Sequence, residues 1–451
     1  MPNSFAYMAL IIWPFVAIIL YKKKEVIPAT FWTIVGGYLL LPVGIDFDFP
    51  LIPALGKKTI PSIMAYIGCV FIAKEKIALL PPKGLYRNLF ILFLVGSIGM
   101  VLTNGEEIIE TTRYIPGLSY RDTFSVVISQ WLMLLPLVLS LQLIRTYEDQ
   151  VKILKLIVMA GLLYSVLILF EIRMSPQLHK WIYGFFPHTW GQQVRYGGFR
   201  PVVFLGHGLW VAFFLVIVLG AALTLSKLKV RISYFPNKLV ITYLITLLFL
   251  SKGFGSMILG LVLFVGITMF SSPMTMRIAM VIVIAAFSYP LLSILELFPH
   301  TYLVELIGSI SQSQAGSLGY RFNQEVMLLD RAQEKWLFGW GGWDRNRLAD
   351  SVTDGYWIIL FGKYGAIGFS AVFGLIASTV VISQNLFSRL QEKNDKTIIA
   401  CHCLLAALII LDQIPNASMS PCAWLVIGGL AGRIAHIPKT NDRIKINNTP
   451  I

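Results

Sequence analysis

The sequence predicts an all-α polytopic membrane protein, one transmembrane domain over residues 1–451, with about 12–14 crossing helices for a span length of ~20 residues. Three observations predict it. Of 451 residues 56% are hydrophobic and only 13% charged, with mean hydropathy +0.73, whereas a soluble domain is about a quarter charged. Apolar runs recur along the whole chain with short polar loops between them. Lys and Arg gather in alternate loops, as they do on the cytoplasmic side of a membrane.

The elements follow in order. Ala6 to Tyr21 lacks a basic leader and a small-residue cleavage site, so it reads as a retained first span closed by Lys22, Lys23 and Lys24. Further spans run near Phe31–Val43 and Ile60–Ala73, the latter followed by Lys74, Lys76, Lys83 and Arg87. Leu89–Leu102, Phe124–Leu143 and Ile153–Phe170 come next, and a polar segment from Glu171 to Arg200 leads into a seventh span that Lys227, Lys229, Arg231 and Lys238 close.

Residues 239–270 form an apolar run too long for one simple span, interrupted at Ser251-Lys252-Gly253. Parity decides how to read it. As one span it would put the basic tail (Arg433, Lys439, Arg443, Lys445) opposite the other basic loops, so a hairpin with Lys252 at its outer tip is expected. Spans near Ile278–Ile294, Tyr356–Ser378, Ile398–Leu411 and Ala423–Ala435 complete the set, with a large outer loop over residues 296–356. No fixed-period repeat and no low-complexity segment interrupts this layout.

Cys69, Cys401, Cys403 and Cys422 fall in or beside apolar runs and read as small core residues. The Cys401-His402-Cys403 triplet does not suggest a metal, because helical geometry turns the two thiols about 200° apart. The net charge of +14 suggests anionic partners, either lipid headgroups or a charged substrate. Basic residues outside the cytoplasmic loops concentrate in three outer loops, near Arg113 to Arg121, Lys180 to Arg200 and Arg321 to Lys363. They belong either to long loops that translocate regardless of charge or to a surface that meets an anion.

Most polar chemistry lies between Gly316 and Gly368. From Tyr320 to Leu337 the apolar residues Phe322, Val326, Leu329, Ala332 and Trp336 recur at helical spacing, which predicts an amphipathic helix on the membrane face. Arg321 and Glu325 stand four apart on its polar side, the spacing of a surface ion pair. Phe338-Gly339-Trp340-Gly341-Gly342-Trp343 reads as a tight turn whose N–H groups and aromatic faces could meet a ligand, although tryptophans at this depth are more often an interfacial belt. Asp354 precedes an apolar helix, where an acid is most often an N-cap.

Three segments carry a resemblance: RYGGFRPVVFLGHG at residues 195–208, LLFLSKGFGSMILG at 247–260, and LFGWGGW followed by DGYWIILFGKYGAIGF at 337–369. Their order and spacing resemble the O-antigen polymerase and O-antigen ligase superfamily. Two departures narrow it. The hairpin tip has Lys252 where the family usually has arginine, and Asp354-Gly355 stands where ligases usually have a His-Asn pair, so a polymerase is the better match.

The resemblance implies a GT-C-like, metal-independent glycosyltransferase without cofactors in the bacterial inner membrane, its active site facing the periplasm. The donor would be an undecaprenyl-diphosphate-linked oligosaccharide, as in O-antigen, exopolysaccharide or lipopolysaccharide biosynthesis. Membrane lipids and a chain-length regulator are the other partners implied, and nucleic acid is not one. Arg200, Lys252 and Arg321 would hold the diphosphate, since a guanidinium binds phosphate oxygens through two parallel hydrogen bonds. Asp354 would take the acceptor's proton, with Glu325 and His207 as the other candidates. Trp340, Trp343 and Tyr356 would face the sugars. The alternatives are a ligase that transfers glycan to lipid A core and, in another class, a flippase or transporter. Transporters usually place ionisable residues within their spans, whereas here they gather in loops.

Overall fold

The computed structural model describes residues 1–49, 52–111, 113–195 and 197–437. Helices make up 68% of it, so the all-α class holds. The chain begins with α1 (Ser4–Lys23). α2 (Val26–Phe31) and α3 (Gly37–Leu40) are joined by a π-helical turn at Trp32–Gly36, and α4 (Ile60–Ile67) continues into another at Gly68–Ile72. Then come α5 (Leu85–Leu102), α6 (Asp122–Leu143), α7 (Tyr147–Met174), the short α8 (Leu178–Tyr183), α9 (Gly208–Lys227), α10 (Asn237–Leu250) and α11 (Phe254–Thr268). The last six are α12 (Ser272–Ile294), α13 (His300–Gly308), α14 (Gln312–Gln333), α15 (Tyr356–Phe387), α16 (Lys393–Asp412) and α17 (Pro421–Ala435).

Among the described residues eight helices, α1, α5, α6, α7, α9, α12, α15 and α16, are long and apolar enough to cross a membrane. This is a multi-pass membrane protein. The eight fall short of the expected 12–14 because Val26–Leu40, Ile60–Ile72, α10, α11 and α17, though apolar, are shorter than the ~20 residues of a full crossing.

The core lies around α9 and α16, whose apolar windows are 89% and 78% buried, against 28% for α1 and α12 at the periphery. α10 and α11 both pack on α9, and α17 packs on α6. At that last contact a Cβ on Gly428 would lie 2.1 Å from Ser140 Oγ, and one on Gly432 2.4 Å from the Leu141 carbonyl. Small residues spaced four apart are what allow two membrane helices to approach so closely. All four cysteines are buried and free. His402 sits among them with Nδ1 2.8 Å from Gln150 Nε2 and Nε2 3.0 Å from the Val426 carbonyl, tying α16 to α7 and α17.

The run from 239 to 270 breaks between α10 and α11 at the expected tip, with Lys252 in the left-handed region (φ 54°). Of the basic tail, Arg433 ends α17 and bonds Asp395 at 2.7 Å. Lys439, Arg443 and Lys445 lie outside the described residues.

Short antiparallel pairs occupy three of the loops: β1 (Asp46–Phe47) with β2 (Leu55–Gly56), β3 (Ile108–Glu110) with β4 (Arg113–Ile115), and β5 (Val194–Arg195) with β6 (Gly198–Phe199). Hydrogen bonds tie the first of these loops to the segment that follows the third. Lys57, next to β2, donates to the carbonyls of Leu41 (2.7 Å) and Phe204 (2.5 Å).

Candidate functional site

α14 starts upstream of the expected amphipathic helix and ends at Gln333, and its faces are assigned differently. Leu328, Leu329 and Ala332 are buried, but Val326 and Trp336 are exposed, and Glu325 turns inward. The reason lies on other helices. Glu325 Oε1 accepts from Tyr289 Oη (2.7 Å) and Ser293 Oγ (3.0 Å) of α12, and Oε2 accepts from Trp357 Nε1 (3.2 Å) of α15. The surface pair of Arg321 with Glu325 therefore does not form. Arg321 Nε instead lies 3.4 Å from Asp354 Oδ2.

Nor does Asp354 cap α15. The cap position is Gly355, without a side-chain bond, and the first helical N–H groups go to a neighbouring loop: Tyr356 to the Asn416 carbonyl (3.1 Å) and Trp357 to that of Gln413 (3.2 Å). Arg321, Asp354 and Glu325 line one cavity of about 280 Å³ with Tyr289, Phe322 and Pro415. Within it the two carboxylates differ. Burial raises the pKa of Glu325 against the pull of its three hydrogen bonds. Asp354 is 42% exposed and keeps Arg321 as its partner.

A cationic group adjoins this cavity. His207 caps α9, its Nδ1 accepting from the Leu209 N–H at 3.0 Å, which leaves the ring proton on Nε2. Burial, reinforced by the charges of His188, Arg200, Arg195 and Arg321, lowers its pKa to about 3. Three arginines, Arg195, Arg200 and Arg321, thus act on a histidine that stays neutral. Arg200 is buried against the start of α9, where a Cβ on Gly208 would lie 3.2 Å from its Nε. Lys252 Nζ reaches across from the hairpin tip to the Arg195 carbonyl at 2.8 Å. The three expected diphosphate ligands therefore come from three separate elements to one end of the bundle.

The aromatic turn departs furthest from expectation. α15 is broken at Gly365 (φ 63°, ψ −165°), so the carbonyls of Gly362 and Lys363 lose the amides of Ala366 and Ile367. Trp340 and Gly341 donate to those carbonyls at 2.8 and 2.9 Å, while Ala366 and Ile367 donate to the carbonyls of Trp336 and Leu337 at 2.7 and 3.3 Å. The turn repairs a broken helix, so these N–H groups are not open to a ligand.

Trp340 is likewise enclosed. Arg331 stacks 3.4 Å from its ring centre, Lys335 Nζ lies at 4.4 Å, and its Nε1 donates to the Arg331 carbonyl at 2.6 Å. It cannot serve as a sugar platform in this arrangement. Buried Arg345 clamps the same turn to the α5–α6 loop through the carbonyls of Pro116 (2.8 Å) and Glu106 (2.9 Å). Trp343 is 56% exposed. The Tyr356 hydroxyl points at Met133 Sδ (3.7 Å).

Residues that position the site escaped the sequence reading. Asp412, at the end of α16, accepts from Asn416 Nδ2 (2.9 Å) and from Ser418 Oγ, fixing the loop that receives the start of α15. Glu171 accepts from the amides of Leu178 (3.0 Å), Val202 and Val203 (both 2.7 Å) and so holds the Arg200–His207 segment. An acid within a few residues of a span's polar end was the available signal for both. Comparison with protein-family models and with curated proteins returns no match for this sequence.

Proposed function

We propose that this protein is a polysaccharide polymerase of the inner membrane, a GT-C-like glycosyltransferase whose five shorter apolar helices also cross the bilayer and whose site faces the periplasm. The observation that carries the reading is the Arg321–Asp354 pair on the wall of a cavity, next to the cationic Arg195 and Arg200 beside neutral His207, a group that Lys252 joins through Arg195. Transfer from a diphosphate-linked glycan needs positive charge at the leaving group and a carboxylate at the attacking hydroxyl. Both are present here within one salt bridge.

In the proposed step, the acceptor hydroxyl oxygen bonds to the donor's anomeric carbon as the bond from that carbon to the diphosphate oxygen breaks. The electron pair leaves on undecaprenyl diphosphate, where Arg321, Arg200 and Lys252 stabilise it. The hydroxyl proton passes to Asp354. Glu325, with three donors already on its oxygens, is less suited to receive it. His207, neutral and with Nδ1 engaged, contributes an Nε2–H donor rather than a base.

Asp354→Asn separates this role from a plain ion pair. An exposed pair contributes only about 0–1 kcal/mol, so the variant should fold and accumulate normally. Polymerisation from purified lipid-linked repeat unit, at matched protein levels, should fall by about 10²-fold or more if the carboxylate takes the proton. Arg321→Lys should also be impaired, because a point charge replaces the two-pronged fork. Near wild-type turnover in both variants would return the pair to a surface contact without a role in the transfer, and absence of polymer from the wild type itself would overturn the polymerase reading.

A further inference from the structure

At the opposite end of α9 the helix ends build a different site. The C-terminus of α9 and the N-termini of α12 and α16 enclose a cavity of about 690 Å³ lined by Lys227, Lys229, Lys393 and Lys396 and by Ser271, Ser272 and Thr397. Lys227 is already committed: its Nζ donates to the carbonyls of Ile267 (2.5 Å) and Phe270 (2.6 Å), closing the last turn of α11. Among the described residues Lys229, Lys393 and Lys396 have no ion-pair partner. Of the acids beside them in sequence, Asp395 is bonded to Arg433 at 2.7 Å and Glu392 is exposed. Three cations thus converge on a cavity with three hydroxyls and no carboxylate among its lining residues.

A second cavity of about 310 Å³ shares Lys229 and adds Arg231, Tyr234, Phe235 and Asn237. Tyr234 is 95% and Phe235 64% exposed, as befits rings placed at a membrane interface. Met269 and Met274 leave further apolar surface beside the larger cavity. We infer that this basic end is a binding site for an anionic phospholipid. Its phosphate sits among Lys229, Lys393 and Lys396 with the Ser271 hydroxyl as a donor, while Thr397 donates to the Lys393 carbonyl (2.8 Å) and bonds Ser272 (3.0 Å) to shape the wall, and its acyl chains lie along the exposed apolar flank. Cations and hydroxyls at the mouth of an apolar surface suit a phosphodiester that brings its own hydrocarbon. A soluble phosphate would leave that surface unused.

The test uses the full-length protein in detergent supplemented with phosphatidylglycerol, phosphatidylcholine or inorganic phosphate. Native mass spectrometry reads the bound lipid, and thermal unfolding reads the stabilisation. Wild type should retain phosphatidylglycerol over phosphatidylcholine by about tenfold or more. The combined Lys229→Gln, Lys393→Gln, Lys396→Gln variant should bring the two lipids to within about twofold of each other, with its unfolding temperature in phosphatidylcholine unchanged. Lys393→Gln alone, at an exposed position, should lower the preference in part and serves if the triple variant does not fold. Equal retention of the two lipids by wild type, or an undiminished preference in the variants, overturns the inference. So does stabilisation by inorganic phosphate equal to that by phosphatidylglycerol, which would mark a soluble anion.

Discussion

A carboxylate that accepts three hydrogen bonds while withdrawn from water is pulled both ways, and at Glu325 burial dominates, so its pKa is raised. The folded protein therefore holds this proton more tightly than the unfolded chain does. Stability from the protonated form is fully present below the ordinary carboxylate range and is lost as pH rises through the folded value. Glu325→Gln, neutral at every pH, should match wild type in thermal unfolding below about pH 4 and become the more stable of the two as pH rises towards about 8. A constant difference across that range would mean that Glu325 does not titrate with folding. At this scale the sequence drew attention to Arg321 and Asp354 because they stand in a stretch rich in charged residues, glycines and tryptophans between apolar spans, Asp354 directly before one of them. The inward turn of Glu325 was not. Its partners Tyr289 and Ser293 lie more than thirty positions away on α12, and helical periodicity alone placed the acid on the polar face.

Among the elements, α15 differs most from its sequence pattern. Residues 356–378 read as one continuous span, yet the helix breaks at Gly365 in a conformation that only glycine adopts readily. The break was hidden because its compensation comes from the turn at Trp336–Gly341, and apolar composition does not show which carbonyls exchange partners. A Cβ on Gly365 would also lie 2.3 Å from the Leu337 carbonyl carbon and oxygen. Gly365→Ala should therefore destabilise by about 1–3 kcal/mol from backbone conformation alone, with the clash added. At Gly362, a Cβ would meet Asn346 at an ordinary 3.4 Å, and Gly362→Ala should be nearly silent. Thermal unfolding of the two variants checks this, and equal midpoints would refute the account of the joint. The hairpin of α10 and α11, by contrast, was readable, since an apolar run too long for one span and interrupted by Ser-Lys-Gly leaves few other geometries.

Over the whole molecule the polar chemistry separates to two ends, and α9 spans them: His207 stands at its start and Lys227 at its finish. Lys252 and Arg195 touch at the first end, whereas Lys229 and Lys393 line the cavity at the second. Alternating charge along the sequence anticipated this division, because basic residues resist translocation and mark one side. The side itself can be read chemically. All four native cysteines are buried, so the wild-type chain should stay unlabelled by a membrane-impermeant thiol reagent, and cysteines introduced at the two ends become the only reactive positions. With the site facing outward, Arg195→Cys and Lys252→Cys in intact cells should react with reagent added from outside. Lys393→Cys should react only after the cells are opened. Labelling of Lys393→Cys in intact cells with protection of Arg195→Cys would invert the orientation and place the Arg321–Asp354 cavity on the cytoplasmic side, where a periplasmic polymerisation step could not occur. Labelling of both ends in intact cells would break the link between opposite ends of α9 and opposite faces of the membrane.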